Sequence, residues 1–178
     1  MTILEAHKNF QATLAAPSRS AGIPEPDDVY GWMTGSWELD VLHYGVDVSA
    51  HGIKGEAHFE WILEGRAIQD VWIMPSKRRA SPDNLNMFGT TLRIWDAGIQ
   101  AWRITWIDAV SGRRDELIGR RNGTDIVQVG THADGTPIRW MFTDIQADSF
   151  RWTGEVLEHD GKTWNLEGEF RARRREKE

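Results

Sequence analysis

The sequence predicts an all-β fold, a closed antiparallel up-and-down meander barrel of about ten strands with an N-terminal helix. Three observations carry this. From Trp37 onward apolar and polar residues alternate with period two. The alternating segments are joined by short turns carrying Glu64-Gly65, Ser111-Gly112, Asn122-Gly123, Asp134-Gly135 and Asp160-Gly161. Ten tryptophans are spread through this stretch and the segment leading into it. A meander left open exposes two sheet edges, and closure removes them. A barrel of this strand number is too wide for side chains alone to fill, so an internal cavity is expected. A two-sheet sandwich is the alternative architecture.

The elements follow in order. Residues 2–15 have the stripe of an amphipathic helix in Ile3, Leu4, His7, Phe10 and Leu14. Thr2 is placed to cap it, with Glu5 three residues on. Pro17 ends it, and Pro24 and Pro26 keep the next segment extended or turned. Asp28–Thr34 is long enough for one helical turn. Residues 1–30 therefore form a helix and lead-in that plug the barrel, and 31–178 form the barrel, in one domain. The helix packs outside, acts as a lid or makes a dimer contact. Strands are expected near 36–45, 53–63, 66–75, 86–95, 100–108, 114–121, 124–131, 137–145, 149–158 and 163–173. Asn122-Gly123 is the clearest two-residue hairpin signal.

Alternation also predicts register, because a one-residue slip exchanges the core and solvent faces. In the first hairpin it sets Trp37 against Trp61, Leu39 against Phe59 and Val41 against Ala57. Near the C-terminus it sets Ile138 against Val156, Trp140 against Gly154 and Phe142 against Trp152. The last pair of strands then sets Gly154 against Gly168 and Trp152 against Phe170, so that large and small rows lie side by side.

Composition narrows the function. Cysteine is absent, which removes disulfides and thiolate metal sites. The net charge of −6 speaks against nucleic acid. The short basic runs Lys77–Arg79 and Arg171–Lys177 read as solvated loop and terminus. No stretch reaches the ~20 apolar residues of a membrane span, and no secretory leader is visible. A cytoplasmic protein without nucleic-acid or membrane partners is expected.

Gly35-x-Trp37, after a short helical turn and at the start of the first strand, resembles the signature of the calycin superfamily, the lipocalins and fatty-acid-binding proteins. Residues 31–173 are similar to bacterial lipocalin-like barrels of unknown function, through Leu63–Arg66, Trp106–Asp108 and the paired turn glycines. The resemblance implies a barrel whose Trp37 closes the floor beneath an Arg of the last strand, Arg171 or Arg173. It implies no catalytic residues. An inward Arg in such a barrel would capture a ligand carboxylate, as in fatty-acid-binding barrels. The last strand has no His where haem-binding relatives carry one, so no haem is expected, and no other cofactor.

Sequence-local enzyme and metal motifs are absent; His7, His43, His51, His58, His132 and His159 lack the spacing of a zinc site. Isolated polar residues on apolar faces remain. His43 shares a face with Trp37, Leu39 and Val41, and the expected register places it opposite Gly55; it either bonds a ligand, acts as acid or base, or sits at a wet rim. Asp108 follows Trp102, Ile104 and Trp106, and Asp144 follows Ile138, Trp140 and Phe142. Each is a buried carboxylate or a turn-capping one, and strand direction puts them at opposite ends. Asp70 or Gln69 points inward from an apolar strand and requires a partner, drawn from Arg93, Arg103, Arg139 and Arg151. Alternation sends Arg103, Arg139 and Arg151 outward; for Arg93 it is not decisive, since the outward pairing sets it opposite Arg103, an unfavourable like-charge pair.

Trp37, Trp61, Trp102, Trp106, Trp140, Trp152 and Trp164 are expected to converge inside, as core or as cavity wall. The ligand-binding set expected from this is Trp61, Trp72, Trp102, Trp106, Trp140, Trp152 and Arg93, with the Ser76–Asn86 loop at the mouth. The leading expectation is a container for a small hydrophobic or aromatic molecule. The alternative is a cofactor-independent hydratase, isomerase or lyase using His43, Asp70 or Asp108. A third reading is a structural or interaction module with a solid barrel; below a cavity of roughly 300 Å³ the binding readings fail. Trp-rich faces turned outward would indicate a homodimer.

Overall fold

A computed structural model describes residues 3–76 and 86–175, with side chains from Asn9 onward. Helix α1 spans Ile3–Leu14. The strands are β1 (Gly35–Tyr44), β2 (Val46–Asp47), β3 (Lys54–Ile62), β4 (Ala67–Met74), β5 (Met87–Asp96), β6 (Ala101–Asp108), β7 (Arg114–Asn122), β8 (Asp125–His132), β9 (Pro137–Thr143), β10 (Ser149–Leu157) and β11 (Trp164–Arg174). Each long strand begins and ends within two residues of its expected position. All pairings are antiparallel between neighbours, β2 being a short spur on β1. β11 returns to pair with β1, from Trp37↔Arg174 to Tyr44↔Gly168, so ten strands close into a barrel. Thr2 and residues 77–85 of the expected mouth loop lie outside the described residues. Among the described residues no helix is long and apolar enough to cross a membrane.

The C-terminal registers are as the sequence sets them: Trp140↔Gly154, Phe142↔Trp152, Gly154↔Gly168 and Trp152↔Phe170. The first hairpin differs. Trp37 faces Ala57 and Leu39 faces Gly55. The chain turns at Gly45 (φ 69°), so the end of β1 pairs with β2 and β3 joins only from Asp40 backward. The slip is of four residues, an even number, and the inward faces survive it.

One register changes a face. Between β5 and β6, Arg93 pairs with Ile104 and Ile94 with Arg103. The connection is a four-residue turn closing on Asp96↔Ala101, with Gln100 at φ 49° and the Gly98 N–H donating to Asp96 at 2.9 Å. That one-residue change turns Met87, Gly89, Thr91 and Arg93 inward, while Phe88 and Ile94 face solvent. Arg93 is thus inside, and the outward pairing with Arg103 does not form.

The lead-in fills one end of the barrel. Ile23, Val29, Tyr30 and Met33 are buried, and the Trp102 indole donates to the Asp27 carbonyl at 2.8 Å. Trp61 and Trp102 pack here, with ring centroids 6.3 Å apart, and Tyr30 meets Trp102 edge-on at 5.2 Å. Gly65 (φ 74°) lies flush against the lead-in; a Cβ there would meet the Ser18 carbonyl at 2.1 Å.

Trp37 donates to the Met33 carbonyl at 2.7 Å and is fully buried. The residue over its ring is Arg174, at 4.2 Å from the centroid, and not Arg171 or Arg173, which are exposed. Parity explains it. Phe170 and Ala172 are buried, so the next inward position is Arg174, the direct pairing partner of Trp37. Arg174 also donates to the Thr34 and Trp32 carbonyls at 2.7 Å and the Ala147 carbonyl at 3.1 Å. It thereby ties the last strand, the lead-in and the β9–β10 loop. Arg174→Ala should lower the unfolding free energy by about 2–4 kcal/mol, from a lost ring contact and several charge-assisted bonds. Arg171→Ala should change it by less than about 0.5 kcal/mol, as exposed sites do. Urea denaturation of both variants checks this.

Candidate functional site

Above the plug the barrel is hollow. The cavity measures about 240 Å³ and opens at the end away from Trp37. Its walls are Trp72 of β4, Met87 of β5, Trp106 of β6, Trp140 of β9, Trp152 of β10 and Phe170 of β11. The rings contact each other around it: Trp140–Trp152 at 5.7 Å, Trp106–Trp140 at 6.3 Å and Trp152 stacked on Phe170 at 5.1 Å. Glycines make room for them. A Cβ on Gly89 would lie 2.3 Å from the Trp106 ring, and one on Gly154 would lie 2.6 Å from the Trp152 ring.

At the inner end Asp70 and Arg93, both almost fully buried, form an ion pair through Arg93 Nη1 and Asp70 Oδ2. The other Asp70 oxygen accepts the Thr91 N–H at 2.8 Å. Arg93 Nε reaches Gln128 Oε1 at 3.5 Å, which also accepts the Tyr30 hydroxyl at 3.1 Å. The guanidinium carbon lies 5.0 Å from the centre of the Tyr30 ring and 5.9 Å from those of Phe59 and Phe142. A charge this deep requires such a shell of partners. Arg93 and Thr91 line the hollow; Gln128 and Tyr30 stand behind them.

At the mouth stand Tyr44, Asp108, Ser111, Arg113 and Glu167. Asp108 Oδ1 accepts the N–H groups of Phe88 at 3.2 Å and Val110 at 3.0 Å, and Oδ2 accepts the Ser111 hydroxyl at 2.7 Å. It is a turn-capping carboxylate that also borders the cavity. Arg113 donates to buried Asp115 at 2.7 Å and to Glu167 at 3.2 Å. His132 is held between Asp115 at 2.8 Å and Glu167 at 3.4 Å. Among the described residues no cluster of His, Asp and Glu is placed to hold a metal ion.

The expected site residues divide. Trp72, Trp106, Trp140, Trp152, Arg93 and Asp108 border the cavity, and Asp70 supports it from behind. Trp61 and Trp102 belong to the packed end and do not line it. Trp164 lies outside, under the Arg139 guanidinium at 4.5 Å. His43 does not reach the cavity. A bulge between Val41 and His43 in the pairing with β11 shifts the phase of β1, so Tyr44 lines the mouth instead. His43 pairs with Asp47 and Glu169, not Gly55, and its buried Nδ1 has no partner among the described residues. Asp144 is exposed after β9, at the opposite end from Asp108. Arg103, Arg139 and Arg151 point outward as expected, each to a carboxylate.

Sequence reasoning missed Tyr30, Thr91, Arg113, Asp115, Gln128, His132 and Glu167. Asp115 and Gln128 carry a usable signal, since each is two residues from a buried Leu117 or Ile126 on the same strand face. The others depend on turns and on strands distant in sequence.

Burial pushes the Tyr30 phenol well above its ordinary value, with Arg93 opposing the shift. Tyr44 is raised as well, by partial burial first and by the Asp108 charge second. Both shifts favour the protonated phenol in the folded state. Their contribution is complete below the unfolded value of about 10 and is lost as pH rises beyond it. Alkaline spectrophotometric titration should therefore show phenolate appearing later than in free tyrosine, Tyr30 only with unfolding. Asp70→Asn or Arg93→Met should cost about 3–5 kcal/mol, as the surviving partner is left buried and unpaired. Asp70→Leu combined with Arg93→Met should cost less than either alone, by equilibrium denaturation.

Compared with known proteins, the chain matches no family model and no curated sequence.

Proposed function

We propose that the barrel binds a compact, largely aromatic molecule in the hollow between Arg93 and Arg113. The observation that carries this is the wall: four indoles and Phe170 enclose about 240 Å³, with polar groups confined to the two ends. An apolar cavity with a few convergent polar groups is the usual form of a small-molecule site. The volume falls short of the roughly 300 Å³ expected of a binding cavity from the sequence, so that expectation is not met for a drug-sized ligand. That mark concerns ligand size, since an apolar cavity of about 150 Å³ already takes benzene. The occupant is accordingly one or two rings, and a long acyl chain is too large.

Binding is favoured over catalysis by the state of the three acid–base candidates. Asp70 is consumed by Arg93 and the Thr91 amide, and Asp108 by three neutral donors. His43 lies off the cavity. A general acid or base needs reach to the reacting atom; Asp70 does not border the hollow, and Asp108 borders it while capping its own turn.

Titration with single- and double-ring aromatics should give saturable quenching of tryptophan fluorescence and a raised melting temperature, with no response to palmitate. Thr91→Phe, which grows a ring into the inner end, should weaken binding at least about tenfold while the protein stays folded. Absence of both quenching and thermal shift across the panel would reject the proposal.

A further inference from the structure

The two ends of the hollow differ in charge. At the inner end Asp70 cancels Arg93. What remains there is hydrogen bonding without net charge. The Arg93 guanidinium is engaged by Asp70, Gln128 and Tyr30, while the Thr91 side chain borders the hollow, with both residues 2% exposed. Among the described residues at the mouth, carboxylates outnumber guanidinium groups: Arg113 faces Asp108, Asp115 and Glu167, and His132 lies between Asp115 and Glu167. Asp115 is taken up by Arg113 and His132. Asp108 has only neutral donors. Glu167 gives Oε2 to Arg113 and His132, and its Oε1 has no partner among the described residues.

Between the ends the indole faces attract a cation. The same walls strip water from an anion without replacing it. A carboxylate pushed toward Arg93 would also meet Asp70 on the same guanidinium. The fatty-acid-binding arrangement, an unpaired Arg awaiting a carboxylate, is not the one present.

We infer that the molecule held here is an aromatic amine. Its ring lies between the indoles, a neutral hydroxyl or carbonyl meets the Thr91 hydroxyl at the inner end, and its ammonium sits at the mouth against Glu167 Oε1 and Asp108. Carboxylates of the same shape are rejected. This rests on the cavity-binding reading above.

Three isosteres separate the possibilities by calorimetry: tyramine, the neutral alcohol tyrosol, and 3-(4-hydroxyphenyl)propionate. Tyramine should bind at least about tenfold tighter than tyrosol, and tyrosol tighter than the propionate. The tyramine-to-tyrosol ratio should fall at least about fivefold in Glu167→Gln and in Asp108→Asn, and it should shrink as salt is raised in the unmodified protein. Tyrosol or the propionate binding as tightly as tyramine would overturn the charge assignment and leave the cavity reading standing. So would a ratio unmoved by salt and by both variants. Failure of all three probes to bind would overturn the cavity reading and this inference with it.

Discussion

The buried Asp70–Arg93 pair is the constraint around which the barrel interior is arranged. A carboxylate on the inward face of β4 requires a cation at the same depth, and the neighbouring strand supplies it. Meeting that requirement turns β5 over. Its polar face (Thr91 and Arg93) enters the barrel, and apolar Phe88 and Ile94 go to the surface. The ordinary preference of a strand for burying its apolar side is outweighed because an unpaired interior charge costs more than a few exposed apolar side chains. Gln128 and Tyr30 complete the shell and tie the N-terminal lead-in to the same cluster.

From this follows the division of the barrel into a packed half and a hollow half. Below the pair, the lead-in, Trp61 and Trp102 fill the interior, and Arg174 locks the end across Trp37. Above it no segment enters among the described residues. The strands there carry Gly89, Gly154 and Gly168, over which large rings lean. Large-against-small pairing fills the wall and leaves the axis open. The cavity is therefore a consequence of where the plug stops, as well as of strand number.

The mouth has a different character. Arg113, Asp115, His132 and Glu167 form a network drawn from β7, β8, β11 and the turn before β7. Their mutual contacts fix the rim, where carboxylates outnumber guanidinium groups among the described residues. The inner end offers hydrogen bonds without charge, the rim offers charge, and the wall between them is aromatic. Polarity therefore changes along one axis of the hollow.

Sequence alone determined the strand count, the strand boundaries and the registers of β9, β10 and β11. These depend on local alternation and on turns whose glycines and asparagines mark the joint. It also placed most indoles inside, because period two carries from one strand to the next when a connection shifts the pairing by an even number. Tertiary structure decided the rest. The inward turn of Arg93 depends on a four-residue turn in place of an odd one, and alternation within the strand cannot tell them apart. Tyr44 replaces His43 at the mouth because one bulge changes the phase of β1. Arg174 sits on Trp37 because closure aligns two strands from opposite ends of the barrel, a pairing to which no local signal refers. The site is assembled from residues that meet only once the sheet has closed, and the chemistry of a cavity belongs to that meeting.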